Sequence, residues 1–198
     1  MLKIGITGGI GSGKTTVCRV FEILGVPVYY ADDESKKILD NNKEVKEKIL
    51  KKFGNELLTE KGVIDKQKLA ALVFQDKQKL QELNAIVHPA VGIHFENWVE
   101  QNQSHTYILK EAAILFEIGA YKQVDKVLTV VAPTELKIKR AMQRQNITRE
   151  QVIERINNQM SDEEKINRSQ FVIHNDDEHM LIPQIIAVHQ QLIDEANA

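Results

Sequence analysis

The chain has 198 residues, enough for one compact α/β domain with an insertion and short for two independent hydrophobic cores. Hydrophobic residues at 42% and charged residues at 27% match ordinary globular usage and exclude a disordered chain. Twenty-six Lys plus Arg against 28 Asp plus Glu give a net charge of −2, without the basic footprint of a nucleic-acid binder, although a local cationic site is compatible with that balance.

The opening run Leu2–Thr7 is apolar at Ile4 and Ile6 and stops abruptly at Gly8, as a buried parallel strand does. It is too short to span a membrane and lacks the pattern of a cleaved signal. No other stretch reaches spanning length, so the cytoplasm is the expected location and no membrane partner is expected. From Lys14, the residues Val17, Val20, Phe21 and Leu24 recur at helical spacing, and Gly25 supplies a C-terminal stop. The single cysteine, Cys18, lies in that helix. It cannot form an intramolecular disulfide, which fits a reducing compartment, and without a neighbouring base it reads as a small buried apolar residue.

Val26–Tyr30 reads as a second strand with Pro27 at its start, ending at Ala31-Asp32-Asp33. A charge-rich helical stretch from Glu34 to Val99 follows, with amphipathic segments marked by Val45, Ile49 and Phe53, by Leu69, Leu72 and Val73, and by Leu80, Leu83 and Val87. Gly54 and Gly62 punctuate it, and Pro89 is expected to begin another helix. The αβ pattern resumes with strand candidates Thr106–Leu109 and Lys126–Val131. Helices Thr134–Arg144 and Thr148–Asn158 come next, each opened by a threonine able to cap it. Phe171–Ile173 is a last strand and Leu181–Ile193 a closing helix. Strands alternating with helices imply a parallel sheet, and the helical block between the second and third strands reads as an insertion at its carboxyl edge, where such sheets bind ligands.

Gly8-Gly9-Ile10-Gly11-Ser12-Gly13-Lys14-Thr15 matches G-x-x-x-x-G-K-[ST] at every fixed position. A loop that wraps phosphates must turn its N–H groups inward, and glycine permits the backbone angles and the close approach. The helix opening near Lys14 adds its positive end. Lys14 is then placed for the β- and γ-phosphates, and the Thr15 hydroxyl for Mg²⁺. At background composition such a match arises in roughly one chain in a hundred of this length, and here it also follows a buried strand and opens an amphipathic helix, so nucleotide binding is expected. A GTPase would carry N-K-x-D and D-x-x-G, and neither occurs. Small size and a helical insertion suit a kinase that covers a small acceptor and excludes water.

The sequence resembles the dephospho-coenzyme A kinase family over nearly its whole length. The resemblance is carried by Ile6-Thr7-Gly8 through Thr16, by Gly25-Val26-Pro27-Val28 with Ala31-Asp32, and by Gly62, Ile64-Asp65, Leu69, Val73-Phe74 and His88-Pro89. It continues through Ile114-Leu115-Phe116-Glu117, Arg140, Arg144, Arg155-Ile156, Gln159, Val172-Ile173 and Asn175. Tyr30 stands where the family usually has the first Asp of Asp-Ala-Asp, Ala113 replaces a Pro, and Ser169-Gln170 replace a common Ala-Asp.

The resemblance implies a single P-loop NTPase domain over residues 1–198 of three-layer α/β/α fold with a parallel sheet. Within it lie a helical substrate-binding insertion at 33–102 and a helical lid at 133–160. It implies ATP-dependent phosphorylation of the ribose 3′-hydroxyl of dephospho-coenzyme A, the last step of coenzyme A biosynthesis, with Mg²⁺ accompanying ATP. Lys14, Asp32 and Arg140 are the expected catalytic residues. Gly9, Gly11, Ser12, Gly13, Lys14, Thr15, Thr16, Arg140, Arg144 and Asn175 are expected to bind ATP, Thr15 to ligate the metal, and Asp32, His88 and Glu111 to contact the acceptor.

Each of these has a plainer reading. Asp32, expected at the end of the second strand facing the loop, either takes the acceptor proton or caps the next helix, as Asp33 could. Arg140 and Arg144 share a helix face and either neutralise the transferred phosphoryl or stay in solvent. Glu111 is a Walker-B-like acid or a surface carboxylate at a strand end. His88, which Pro89 should push to an extended backbone, touches substrate or is structural; Glu117 is a weaker candidate. Another small-molecule kinase and a non-catalytic ATP-binding regulatory module both stay open as readings.

Overall fold

The computed structural model describes residues 1–74 and 76–197, the side chains of Phe74, Lys77 and Gln145 excepted. Gln75, inside the expected charged helical stretch, and the Phe74 side chain of the family resemblance therefore lie outside the described residues. The chain divides into two compact units, Met1–Tyr30 with Asn102–Ala198, and Ala31–Gln101.

The first unit is built on a five-stranded parallel sheet of β1 (Leu2–Thr7), β2 (Val28–Tyr30), β3 (Tyr107–Glu111), β4 (Lys126–Val131) and β5 (Phe171–His174). Their order is β2-β3-β1-β4-β5. Alternate residues face opposite sides of a strand. Ile4 and Ile6, Tyr107 and Leu109, and Leu128 and Val130 form one apolar face. On it lie α1 (Lys14–Ile23) through Val17, Cys18 and Phe21, and α9 (Leu181–Ala196) through Ile185, Val188 and Leu192. On the opposite face Leu115 and Val124 close over Gly5. There α8 (Asp162–Asn167) meets β4, the Thr129 hydroxyl sharing a hydrogen bond with Ser169 at 2.7 Å. Ser169 and Gln170, which depart from the family pattern, thus tie α8 to β4, and Gln170 Oε1 accepts from Val127 N–H at 2.8 Å.

Two further helices complete this unit, α6 (Thr134–Gln145) and α7 (Arg149–Asn157), packed through Ile138, Ala141 and Val152. Thr148 caps α7 in a capping box with Gln151. Thr134 does not cap α6: Pro133 occupies the N-cap without a side-chain bond and Thr134 is already helical. The short α8 was not expected, although Ser161 and Glu164 form a second capping box that is legible as S-x-x-E.

The second unit contains α2 (Ala31–Asn41), α3 (Lys43–Phe53), α4 (Lys66–Phe74) and α5 (Lys77–Gln101) around Ile38, Val45, Ile49, Leu57, Ile64, Leu69, Val73 and Val87. Pro89 does not start a helix. It lies inside α5, and His88 before it is helical, not extended. Proline removes one helical hydrogen bond and crowds the preceding turn. The apolar stripe of α5 around it, Leu83, Val87, Ala90 and Val91, packs on this core and holds the helix continuous.

Candidate active site

The loop after β1 owes its path to three glycines with positive φ, Gly8, Gly11 and Gly13. At all three the space is filled as well: a Cβ on Gly8 would lie 2.2 Å from the Val130 carbonyl oxygen. A Cβ on Gly13 would lie 2.0 Å from Asn175 Nδ2, and one on Gly11 would lie 2.2 Å from the Lys137 carbonyl oxygen. Neighbouring elements therefore press on the loop from both sides, and no larger residue fits. Ser12 N–H donates to the Gly9 carbonyl at 3.1 Å, and Gly13 opens α1 with its carbonyl accepting from Thr16 and Val17. The Ser12 side chain is buried, its hydroxyl without a hydrogen-bond partner among the described residues, while its backbone N–H and carbonyl tie the loop together.

Lys14 folds back along the loop and donates from Nζ to the Gly8 carbonyl at 2.8 Å. Glu111 Oε1 lies 4.0 Å from the same ammonium. The strand register explains this approach: Glu111 ends β3 opposite Ile6, two residues short of Gly8. Both side chains are 10% exposed, so the reading of Glu111 as a surface carboxylate is excluded.

Around the start of α1 a cavity of about 210 Å³ is lined by Gly11, Gly13, Lys14, Thr15, Thr16, Arg140, Ala141 and Arg144. The i, i+4 spacing of the two arginines on α6 brings both to it. Arg140 is held rather than loose. It donates to the Asn175 carbonyl at 2.8 Å and to Asp177 Oδ1 at 2.8 Å, and Asn175 Nδ2 in turn donates to the Ser12 carbonyl at 2.8 Å. Asn175, expected to bind ATP, here couples the loop to Arg140. The assembly is a concave cationic pocket at a helix N-terminus, suited to a chain of phosphates.

A model of the dephospho-CoA kinase family matches residues 2–180. The chain belongs to the dephospho-CoA kinase family. It is 43% identical over 185 residues to a dephospho-CoA kinase of Bacteroides fragilis (strain YCH46), covering 93% of this chain and 90% of the relative. Among solved structures, a Thermus thermophilus protein superposes with a TM-score of 0.80 at 32% identity, over 98% of this chain and 97% of the other. A dephospho-CoA kinase from Campylobacter jejuni gives a TM-score of 0.72 at 28% identity, over 98% of each chain.

In this kinase the remaining expected site residues belong to the Ala31–Gln101 unit. Asp32 is not at a strand end: β2 stops at Tyr30, and Asp32 and Asp33 occupy the first turn of α2. Neither is its N-cap, because the helix begins at Ala31; their carboxylates instead lie at its positive end. His88 is in the middle of α5, where burial lowers its imidazole below the ordinary value.

Tyr30, where the family usually has an Asp, packs against the first unit's core and hydrogen-bonds Glu22. Burial, reinforced by the charge on Glu22, pushes its phenol up and keeps it a donor. Burial likewise pushes the Cys18 thiol up, in keeping with an inert core residue.

For magnesium the structure offers a hydroxyl and a carboxylate rather than a protein cage. Among the described residues no group of three or more His, Cys, Asp or Glu side chains is arranged to hold a metal. Mg²⁺ needs only one or two protein oxygens beside phosphates and water, and Thr15 on the cavity wall with the buried Glu111 at the end of β3 fits that demand.

Sequence reasoning missed Lys137 and Asp162. Lys137, one of several charges on α6, is buried, and its Nζ donates to Asp162 Oδ2 at 2.7 Å. Gln159, known only as part of the family pattern, accepts from Ile10 N–H at 3.0 Å. Glu117 accepts from Met160 N–H at 2.8 Å and lies 3.4 Å from the fully buried Lys165.

Proposed function

We propose that this chain transfers the γ-phosphoryl group of ATP to the ribose 3′-hydroxyl of dephospho-coenzyme A, giving coenzyme A and ADP, as a cytoplasmic enzyme working with Mg²⁺. The observation that carries this reading is the phosphate loop of a dephospho-CoA kinase family member, with the Lys14 ammonium folded against Gly8 and the Glu111 carboxylate beside it.

Loop N–H groups and the positive end of α1 hold the β-phosphate, and Lys14 neutralises charge shared between the β- and γ-phosphates. Arg140 and Arg144, on a lid at 133–160, add positive charge from above. Thr15 and Glu111 would hold the metal, which when bound would screen and orient the phosphate oxygens. Asp32 takes the proton of the 3′-hydroxyl as its oxygen attacks the γ-phosphorus, and the bond to the β–γ bridging oxygen breaks to release ADP. His88 contacts the acceptor as a neutral hydrogen-bonding group.

A coupled assay of ADP release with ATP, Mg²⁺ and dephospho-coenzyme A tests the reaction. Robust turnover is expected, with Lys14→Ala lowering kcat/KM by roughly 10²–10³-fold, the size of a lost phosphate-stabilising contact. Turnover of a nucleoside or of shikimate in place of dephospho-coenzyme A would overturn the substrate and leave the fold standing. Asp32→Asn is expected to keep ATP affinity and lower kcat by about 10²–10⁴-fold; unchanged kcat removes Asp32 from the chemistry.

A further inference from the structure

We propose that Lys137 is a second lysine of the phosphate site, a ligand for the outermost phosphate of the nucleotide, with Asp162 holding its ammonium in position until that phosphate arrives. The inference rests on the nucleotide reading above and adds a residue to it.

Three observations converge at Gly9. First, Lys14 Nζ donates to the Gly8 carbonyl, so the lysine that serves the β- and γ-phosphates marks the Gly8–Gly9 end of the loop as the γ end. Lys14 also lines the cavity at the start of α1, together with Thr15, Thr16, Arg140 and Arg144. Second, the three polar atoms nearest the point where a Cβ on Gly9 would stand are Lys137 Nζ at 3.4 Å, Asp162 Oδ1 at 3.5 Å and Gln159 Oε1 at 3.6 Å. A cation, a carboxylate and an amide oxygen therefore meet over one backbone position of the loop. Third, Gln159 Oε1 accepts from Ile10 N–H at 3.0 Å, so an uncharged oxygen already occupies a loop donor next to that point.

The Lys137 side chain is 6% exposed, and its partner Asp162 is 25% exposed. A buried ion pair contributes little net stability, because desolvation offsets most of the attraction. Packing alone would be served by an apolar residue in this place on α6. A lysine held by one carboxylate is, by contrast, a poised cation: an arriving phosphate carries more charge than Asp162 and competes for the same ammonium. The backbone of Lys137 is also fixed against the loop, its carbonyl filling the space beside Gly11, so the side chain starts from a set position. Asp162 is the positioning residue in this arrangement.

The test is calorimetric titration of the whole protein with Mg²⁺–ADP and with a non-hydrolysable Mg²⁺–ATP analogue. Lys137→Met is expected to leave ADP affinity within about twofold and to weaken the analogue by about tenfold, the effect of losing one charge-assisted contact. Asp162→Asn should act with the opposite sign, tightening the analogue relative to ADP by about threefold, since its carboxylate no longer competes. Lys137→Arg should recover part of the preference for the analogue. A merely structural ion pair would weaken both nucleotides alike in both variants, and that result overturns the proposal. So does an unchanged ratio of the two affinities in Lys137→Met. A wild-type chain that binds neither nucleotide would overturn the nucleotide reading itself, a failure distinct from that of Lys137.

Discussion

Lys14 shows how little of a residue's role its own chemistry sets. An ammonium on a four-carbon stem is a mobile, strongly hydrated charge. Here it is nearly dehydrated, donating to the Gly8 carbonyl with a carboxylate 4.0 Å away. His88 gives a second case, and a prediction. The imidazole of the unfolded chain titrates near about 6.5, and burial holds the folded one lower. As pH falls through the unfolded value the unfolded chain binds more protons. The stability contributed by neutral His88 is therefore full above about pH 6.5 and is lost as pH falls toward and through the depressed folded value. Thermal melts from about pH 7 to 5.5 should show a steeper loss for the wild type than for His88→Gln. Parallel losses would mean that His88 takes up its proton without penalty.

At the scale of elements, the starts of α7 and α8 followed local chemistry, whereas the start of α6 and the long helix did not. The α7 start was legible because Thr148 and Gln151 bond each other's backbone, at 3.3 Å and 3.0 Å. Thr148→Ala should cost about 1 kcal/mol and speed amide exchange in the first turns of α7 by about fivefold. Exchange at the wild-type rate would show that packing of Val152 alone fixes the helix. The α8 segment carries the same signal at Ser161 and Glu164 but is six residues long, too short to display helical periodicity. In α5 a correct local rule gave the wrong boundary. Proline disfavours helix, yet burial of Val87 and its neighbours against α2, α3 and α4 outweighs a single missing hydrogen bond.

For the molecule as a whole, and against the single core expected from its length, each unit has its own apolar core. Ile49, fully buried in the helical unit, is the place to test this. Ile49→Ala should lower the stability of that unit by about 2–5 kcal/mol. Dephospho-coenzyme A turnover should fall while calorimetric affinity for ADP, which rests on the loop of the other unit, is retained. Loss of ADP affinity in parallel would refute independent stabilisation of the two cores.

The strands and the phosphate loop were determined by the sequence alone, because each depends on residues adjacent in the chain, apolar runs in the one and glycines with a lysine and a threonine at fixed offsets in the other; the family was legible from the order of motifs along the chain. The tertiary structure decided the burial of Glu111 against Lys14, the passage of α5 through Pro89, the link from Arg140 through Asn175 to Ser12, and the convergence of Lys137, Gln159 and Asp162 on Gly9. Apart from the helix, these contacts join residues far apart in sequence. Strand order and the packing of α6 and α8 beside the loop bring them together, and no local pattern encodes which charge on an amphipathic helix will be the buried one.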